Sequence, residues 1–173
     1  MNTAILQLRH YFVSELNVVA NRTHESTKPV NLTTDNLVVN SNFLQDKKDA
    51  REWQVTLRLQ QSAGADTNSP YSFAIELVGF FGVAPTYAVE KAEWMVRTNA
   101  TAVLYSTARE VLRAAMAQGP FCPLLLPTVS FYTPETKKML DAAKNAGKNQ
   151  ALPPAETPRL PKRKSAALRA RNS

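Results

Sequence analysis

From Thr107 to Thr133 the chain reads TAREVLRAAMAQGPFCPLLLPTVSFYT, an amphipathic helix that ends at a glycine and runs into an apolar loop broken by prolines. Ala108, Val111, Leu112, Ala115 and Met116 follow the i, i+3, i+4, i+7, i+8 spacing of one buried helix face, with Arg109, Arg113 and Gln118 elsewhere on the wheel. Gly119 is placed to be the C′ residue, and Pro120 cannot extend the helix. Beyond it Phe121, Leu124, Leu125, Leu126, Val129 and Phe131 are kept from regular pairing by Pro120, Pro123 and Pro127. A segment with so much apolar surface and so few ladder hydrogen bonds needs a partner to cover it.

Upstream the period is two. Trp53, Val55, Leu57 and Leu59 alternate with Gln54, Thr56, Arg58 and Gln60, the pattern of a strand with one face in a core and the other in water. The loop SAGADTNSP, with Gly64, Asp66, Asn68 and Pro70, leads to a second alternating set, Tyr71, Phe73, Ile75 and Leu77, and predicts an antiparallel hairpin. Leu6, Leu8, Phe12, Leu16 and Val18 share one parity, interrupted at His10 and Ser14, and predict a long first strand with a bend. Residues 36–44 read as a short strand in which Leu37, Val39 and Phe43 share a face and Asn40 and Asn42 intrude.

After Pro85 the period lengthens to that of a helix, through Tyr87, Val89, Lys91, Trp94 and Met95 and again from Ala102 to Gln118. Thr107 and Glu110 have capping-box spacing, which predicts a break between two helical pieces near Tyr105. A last helix is expected with Thr133 as N-cap and Pro134 in its first turn, running through Met139, Leu140 and Ala143 and fraying near Gly147. Past that point Pro153, Pro154, Pro158 and Pro161 stand among Lys, Arg, Ser and Ala. The chain therefore divides into a folded domain, 1–148, and a basic, Pro-rich tail, 149–173, expected to be disordered. The predicted fold class is α+β, a four-stranded antiparallel sheet followed by helices and an apolar crossover loop.

An A-R-E helix, a G-x-F turn, an LLLP crossover and a V-x-F close, preceded in order by RHYFVSELNV, WQVTLRLQ and SFAIELVGFFGV, resemble the SecB family of export chaperones over roughly residues 5–133. The chain departs from the family at Ser130, where an Asn or Asp is usual, and in being basic. The resemblance implies a SecB-like fold, a dimer of dimers, and an ATP-independent holdase without a cofactor. Its clients would be unfolded preproteins awaiting export, or an unstable antitoxin in a toxin–antitoxin system. It also implies a client groove between helix and crossover loop. Phe80, Phe81, Val83 and Tyr87, at the strand-to-helix junction, are expected to line it together with Phe121, Leu124 and Leu125, while Leu126 and Phe131 are expected in the core. Glu15 and Glu76 fall where the family presents acids to the translocase ATPase SecA, although Val19 and Ala74 stand where another acid and a Leu are usual.

The residues themselves favour binding over catalysis. His10 and His24 have no neighbouring Cys and no metal-ligand spacing, and GFFG at Gly79 to Gly82 lacks the Lys-Ser/Thr of a phosphate-binding loop, so neither an enzyme nor a metal site is expected. Cys122, the single cysteine, is expected as a small apolar thiol in a packed loop and permits no disulfide within the chain. Without a long apolar run or a signal-like start, the protein is expected in the cytoplasm. Of the net +7, the segment from Gln150 carries +5, so the high charge belongs to the tail and leaves the body only slightly basic. A nucleic-acid-binding adaptor acting through that tail is the alternative of a different class, and a tail without aromatic residues speaks against it.

Overall fold

Period-two patterning decides which face of the sheet meets the helices. The computed structural model describes residues 4–30, 36–62 and 68–149, with the backbone alone for 143–149. Four strands, β1 (Leu6–Ala20), β2 (Val38–Gln45), β3 (Glu52–Gln61) and β4 (Tyr71–Val83), form one antiparallel sheet in the order β1-β4-β3-β2. Trp53, Val55, Leu57 and Leu59 of β3 and Tyr71, Phe73, Ile75 and Leu77 of β4 are all buried on one face. The expected hairpin is present, although the tip of its turn, with Gly64 and Asp66, lies outside the described residues.

The first strand bends through two bulges, one at Ser14, where an interruption is expected, and one at Arg9, a residue before the interruption expected at His10. Its pairing with β4 skips Arg9, between Leu8↔Phe81 and His10↔Phe80, and Ser14, between Val13↔Leu77 and Glu15↔Glu76. Each extra residue reverses the parity of the strand beyond it. Phe12 is therefore turned to the outer face, away from the helices, beside His10 and Phe80, while Leu16 and Val18 return to the inner face.

After β4 the chain makes a 3₁₀ turn (Val89–Lys91), the short helix α1 (Ala92–Met95), a π turn (Val96–Ala100) and the long helix α2 (Thr101–Met116). Val96, Ala100, Leu104, Ala108, Leu112 and Met116 are buried in the core cluster they share with β3 and β4. Burying one such aliphatic side chain contributes roughly 1.5–3 kcal/mol. At Gly79 a Cβ would stand 2.8 Å from Leu104 Cδ2 and 2.8 Å from Phe81 Cε2, so the missing side chain sets how closely helix and sheet approach.

Two helix boundaries differ from expectation. No break occurs near Tyr105: α2 runs through it, and the Thr107 hydroxyl donates to the Val103 carbonyl at 3.1 Å, a bond open to any mid-helix threonine. The irregularity sits earlier, in the π turn, where Asn99 Nδ2 donates to the Met95 carbonyl at 3.2 Å. Gly119 follows the end of α2, but no described glycine has a positive φ. Glycine is required there for another reason, since a Cβ would lie 2.6 Å from the Tyr71 hydroxyl. The last helix, α3 (Pro134–Asn149), starts as expected, with Thr136 N donating to Thr133 Oγ1 and Thr133 N to Thr136 Oγ1. It continues past Gly147 to Asn149, and the tail from residue 150 lies outside the described residues.

Candidate functional site

The crossover loop is built on tyrosines. Tyr71, buried at the start of β4, accepts a hydrogen bond from Phe121 N at 3.0 Å, and its oxygen lies 2.7 Å from the Phe121 carbonyl and 3.1 Å from that of Met116. The half-buried Phe121 ring rests edge-on against Tyr71 and His24, with centroids 5.9 and 4.9 Å away. His24 Nδ1 is 2.9 Å from the carbonyl of Asn68, whose side chain also organises the loop from Glu25 to Pro29. Further along, Tyr105 donates to the Pro127 carbonyl at 2.6 Å and packs against Phe131 at 5.7 Å. Leu126 is buried in the core, and Phe131 packs on its margin. Between these anchors Leu124 is half-buried and Leu125 is 73% exposed. Cys122 is exposed too, contrary to the packed thiol expected, because the prolines on either side of Phe121 and Cys122 carry the chain out over the surface.

The junction residues do not gather beside the loop. Phe81 and Val83 continue the inward alternation of β4 and are buried under the helices, so they belong to the core and do not line a groove. Phe80, one residue out of phase, lies on the opposite face of the sheet, stacked 6.3 Å from His10 and tilted 6.4 Å from Phe12. A sheet separates it from α2. Tyr87 is half-buried against the core, with its carbonyl accepting from Arg51 Nη1 at 2.8 Å. Of the seven residues expected in the groove, Tyr87, Phe121, Leu124 and Leu125 retain accessible surface on the helix side of the fold or its loop.

Glu15 and Glu76 are register partners on β1 and β4, and Arg58 on β3 is the register partner of Glu76. The Arg58 guanidinium bonds Glu15 through both Nη atoms and approaches Glu76 Oε2 at 3.5 Å, while Ser14 Oγ donates to Glu76 Oε1 at 2.8 Å. Hydrogen bonding and charge from Glu15, then Glu76, raise the Arg58 pKa above its ordinary value. The two acids are therefore brought together with a cation between them. Burial raises the hydroxyl pKa of Tyr105, with the Arg109 charge acting in the opposite sense, and burial also raises that of Tyr87.

Sequence reasoning missed the hydroxyls of Tyr71 and Tyr105, because an aromatic on an apolar face reads as core whatever its polar tip does. The available signal was the loop's lack of main-chain partners. None of the described helices is long and apolar enough to cross a membrane.

A four-stranded antiparallel sheet covered by one long helix, with a proline-broken apolar crossover behind it, defines an α+β fold. The family model for the preprotein translocase subunit SecB matches residues 2–138. The chain belongs to the SecB family. Among solved structures it is similar to a SecB-like chaperone of Mycobacterium tuberculosis in complex with an antitoxin peptide, at 16% identity and a TM-score of 0.48 over 72% of this chain and 91% of that one. It is also similar to a protein of unknown function from Streptococcus agalactiae, at 13% identity and a TM-score of 0.38 over 71% of this chain and 97% of that one. No curated protein matches it.

Proposed function

We propose that the chain is an ATP-independent holdase that binds non-native polypeptide along the crossover loop and the adjoining helix side of the fold, in the cytosol and without a cofactor. The observation that carries this reading is Leu125, 73% exposed on a loop that also presents half-buried Leu124 and Phe121. Non-native chains expose apolar side chains, and a shallow apolar strip offers them area without demanding one shape. Several weak contacts along one client then add through effective concentration.

An oligomer extends the strip. Among the described residues both β1 and β2 have an outer edge without a neighbouring strand, and Tyr11, Val13 and Leu16 are exposed on the inner face of β1. These features support a homo-oligomer, with a dimer of dimers as the full assembly. For handover, the Arg58 bridge lowers the net charge of the Glu15–Glu76 face. This favours delivery to a dedicated partner such as an antitoxin over docking to SecA, since a basic partner would meet acids already paired.

The test uses the purified full chain without nucleotide. It should suppress aggregation of a chemically denatured client diluted from guanidinium, and should sediment as a dimer or tetramer at micromolar concentration. Absence of suppression would sink the holdase reading, and a stable monomer would remove the extended strip.

A further inference from the structure

The crossover loop is tied to the body at few points. Among the described residues, no main-chain group from Pro120 to Phe131 bonds another main-chain group. Among the described residues, the loop's main-chain hydrogen bonds to the body go to the Tyr71 hydroxyl, at Phe121, and to the Tyr105 hydroxyl, at Pro127. Pro120, Pro123 and Pro127 have no N–H to offer. The span between the two ties holds to the core through buried Leu126, and it carries the exposed Leu125.

We propose that Tyr71 and Tyr105 are positioning residues for client binding, their hydroxyls acting as two ties that hold the loop as a strap with its apolar side chains presented. This rests on the holdase reading. Neither phenol needs to touch the client. Opening a tie breaks no ladder, because the strap has none, so one lost hydroxyl loosens the span between Phe121 and Pro127, which is then held by the other tie and by the packing of Leu124 and Leu126 on the core. A loosened strap is in its binding-competent form for a smaller fraction of the time, and apparent affinity falls by that fraction. Gly119 supplies an independent handle, since a Cβ there would stand 2.6 Å from the Tyr71 hydroxyl and displace it.

Cys122, exposed within the strap and the chain's single cysteine, allows a nitroxide spin label to report strap mobility in the full-length protein. The variants are Tyr105→Phe, Tyr71→Phe and Gly119→Ala, and the unfolded probe is reduced, carboxymethylated lactalbumin titrated against the unlabelled proteins. Each variant should sharpen the label's spectrum and weaken probe binding roughly two- to tenfold, the worth of one hydrogen bond, with oligomeric state unchanged. Unchanged spectra and affinities in variants that fold would overturn the proposal. Weakened binding with an unchanged spectrum would also overturn it, because the effect would then not pass through the strap. Should Tyr71→Phe fail to fold, Tyr105→Phe and Gly119→Ala decide the matter. If the parent chain itself does not bind the probe, the holdase reading fails, and the ties are judged on the spectra alone: sharpened lines sustain them and unchanged lines refute them.

Discussion

Replacing Leu125 by Ser separates client binding from folding. The side chain is 73% exposed, so about three quarters of its apolar surface remains to be buried by a client. Full burial of a leucine is worth roughly 1.5–3 kcal/mol, which puts the loss at about 1–2 kcal/mol and the rise in Kd at roughly five- to thirtyfold. The quarter already covered contributes no more than about 0.8 kcal/mol to the fold, a Tm shift of ~1–3 °C. Anisotropy titration of a fluorescent unfolded client, alongside a thermal melt, measures both. Leu126→Ser is the contrasting control, because its 3% exposed side chain should be needed for folding. A Leu125→Ser protein that binds within about twofold of the parent would show that clients do not rest on the loop.

Gly79→Ala should destabilise by about 1–3 kcal/mol through overpacking against Leu104 and Phe81. Leu104→Ala alone should cost about 2–5 kcal/mol, and the double variant at least ~1 kcal/mol less than the sum, whereas additive urea-unfolding values would disprove the contact. Folded Tyr105 holds its proton above the ordinary pKa of about 10, so its contribution is fully present below that pH and declines as pH rises towards the folded value. Tyr105→Phe should therefore flatten part of the alkaline loss of stability above about pH 10, and an unaltered slope would contradict the assignment. Deleting Gln150–Ser173, which carries +5 of the net charge, should leave Tm and client affinity nearly unchanged and reduce salt-sensitive binding to DNA or anionic vesicles. Loss of client binding on truncation would move the function into the tail.

Patterning on β3 and β4 can be read from the sequence because a half-buried sheet face imposes strict alternation, and the buried set from Trp53 to Leu77 follows it residue for residue. The same rule, carried six residues further, puts Phe81 and Val83 inside and Phe80 outside, yet resemblance to a family groove draws all three into the site. Thr107 and Gly119 mislead for a common reason. A threonine with Glu three residues on, and a glycine after a helix, are boundary signals only where the backbone ends, and spacing cannot tell that from a mid-helix hydroxyl bond or a close approach by Tyr71. Arg58 reads in the sequence as a solvated strand position. Its pairing with Glu15 depends on β4 lying between β1 and β3, a topological fact that no local pattern carries.

β1 has 15 residues and β4, its partner from end to end, has 13. The bulges at Arg9 and Ser14 hold the difference, much as expansion joints hold slack in a bridge deck. Deleting Arg9 or Ser14 closes the ladder with every other side chain still on its own face, whereas a deletion within β3, paired with β4 without a skip, turns half of its apolar set into water. Single-residue length variation is thus tolerable in the first strand and ruinous in the third. A deletion scan through both, scored by soluble expression, should reveal that asymmetry directly.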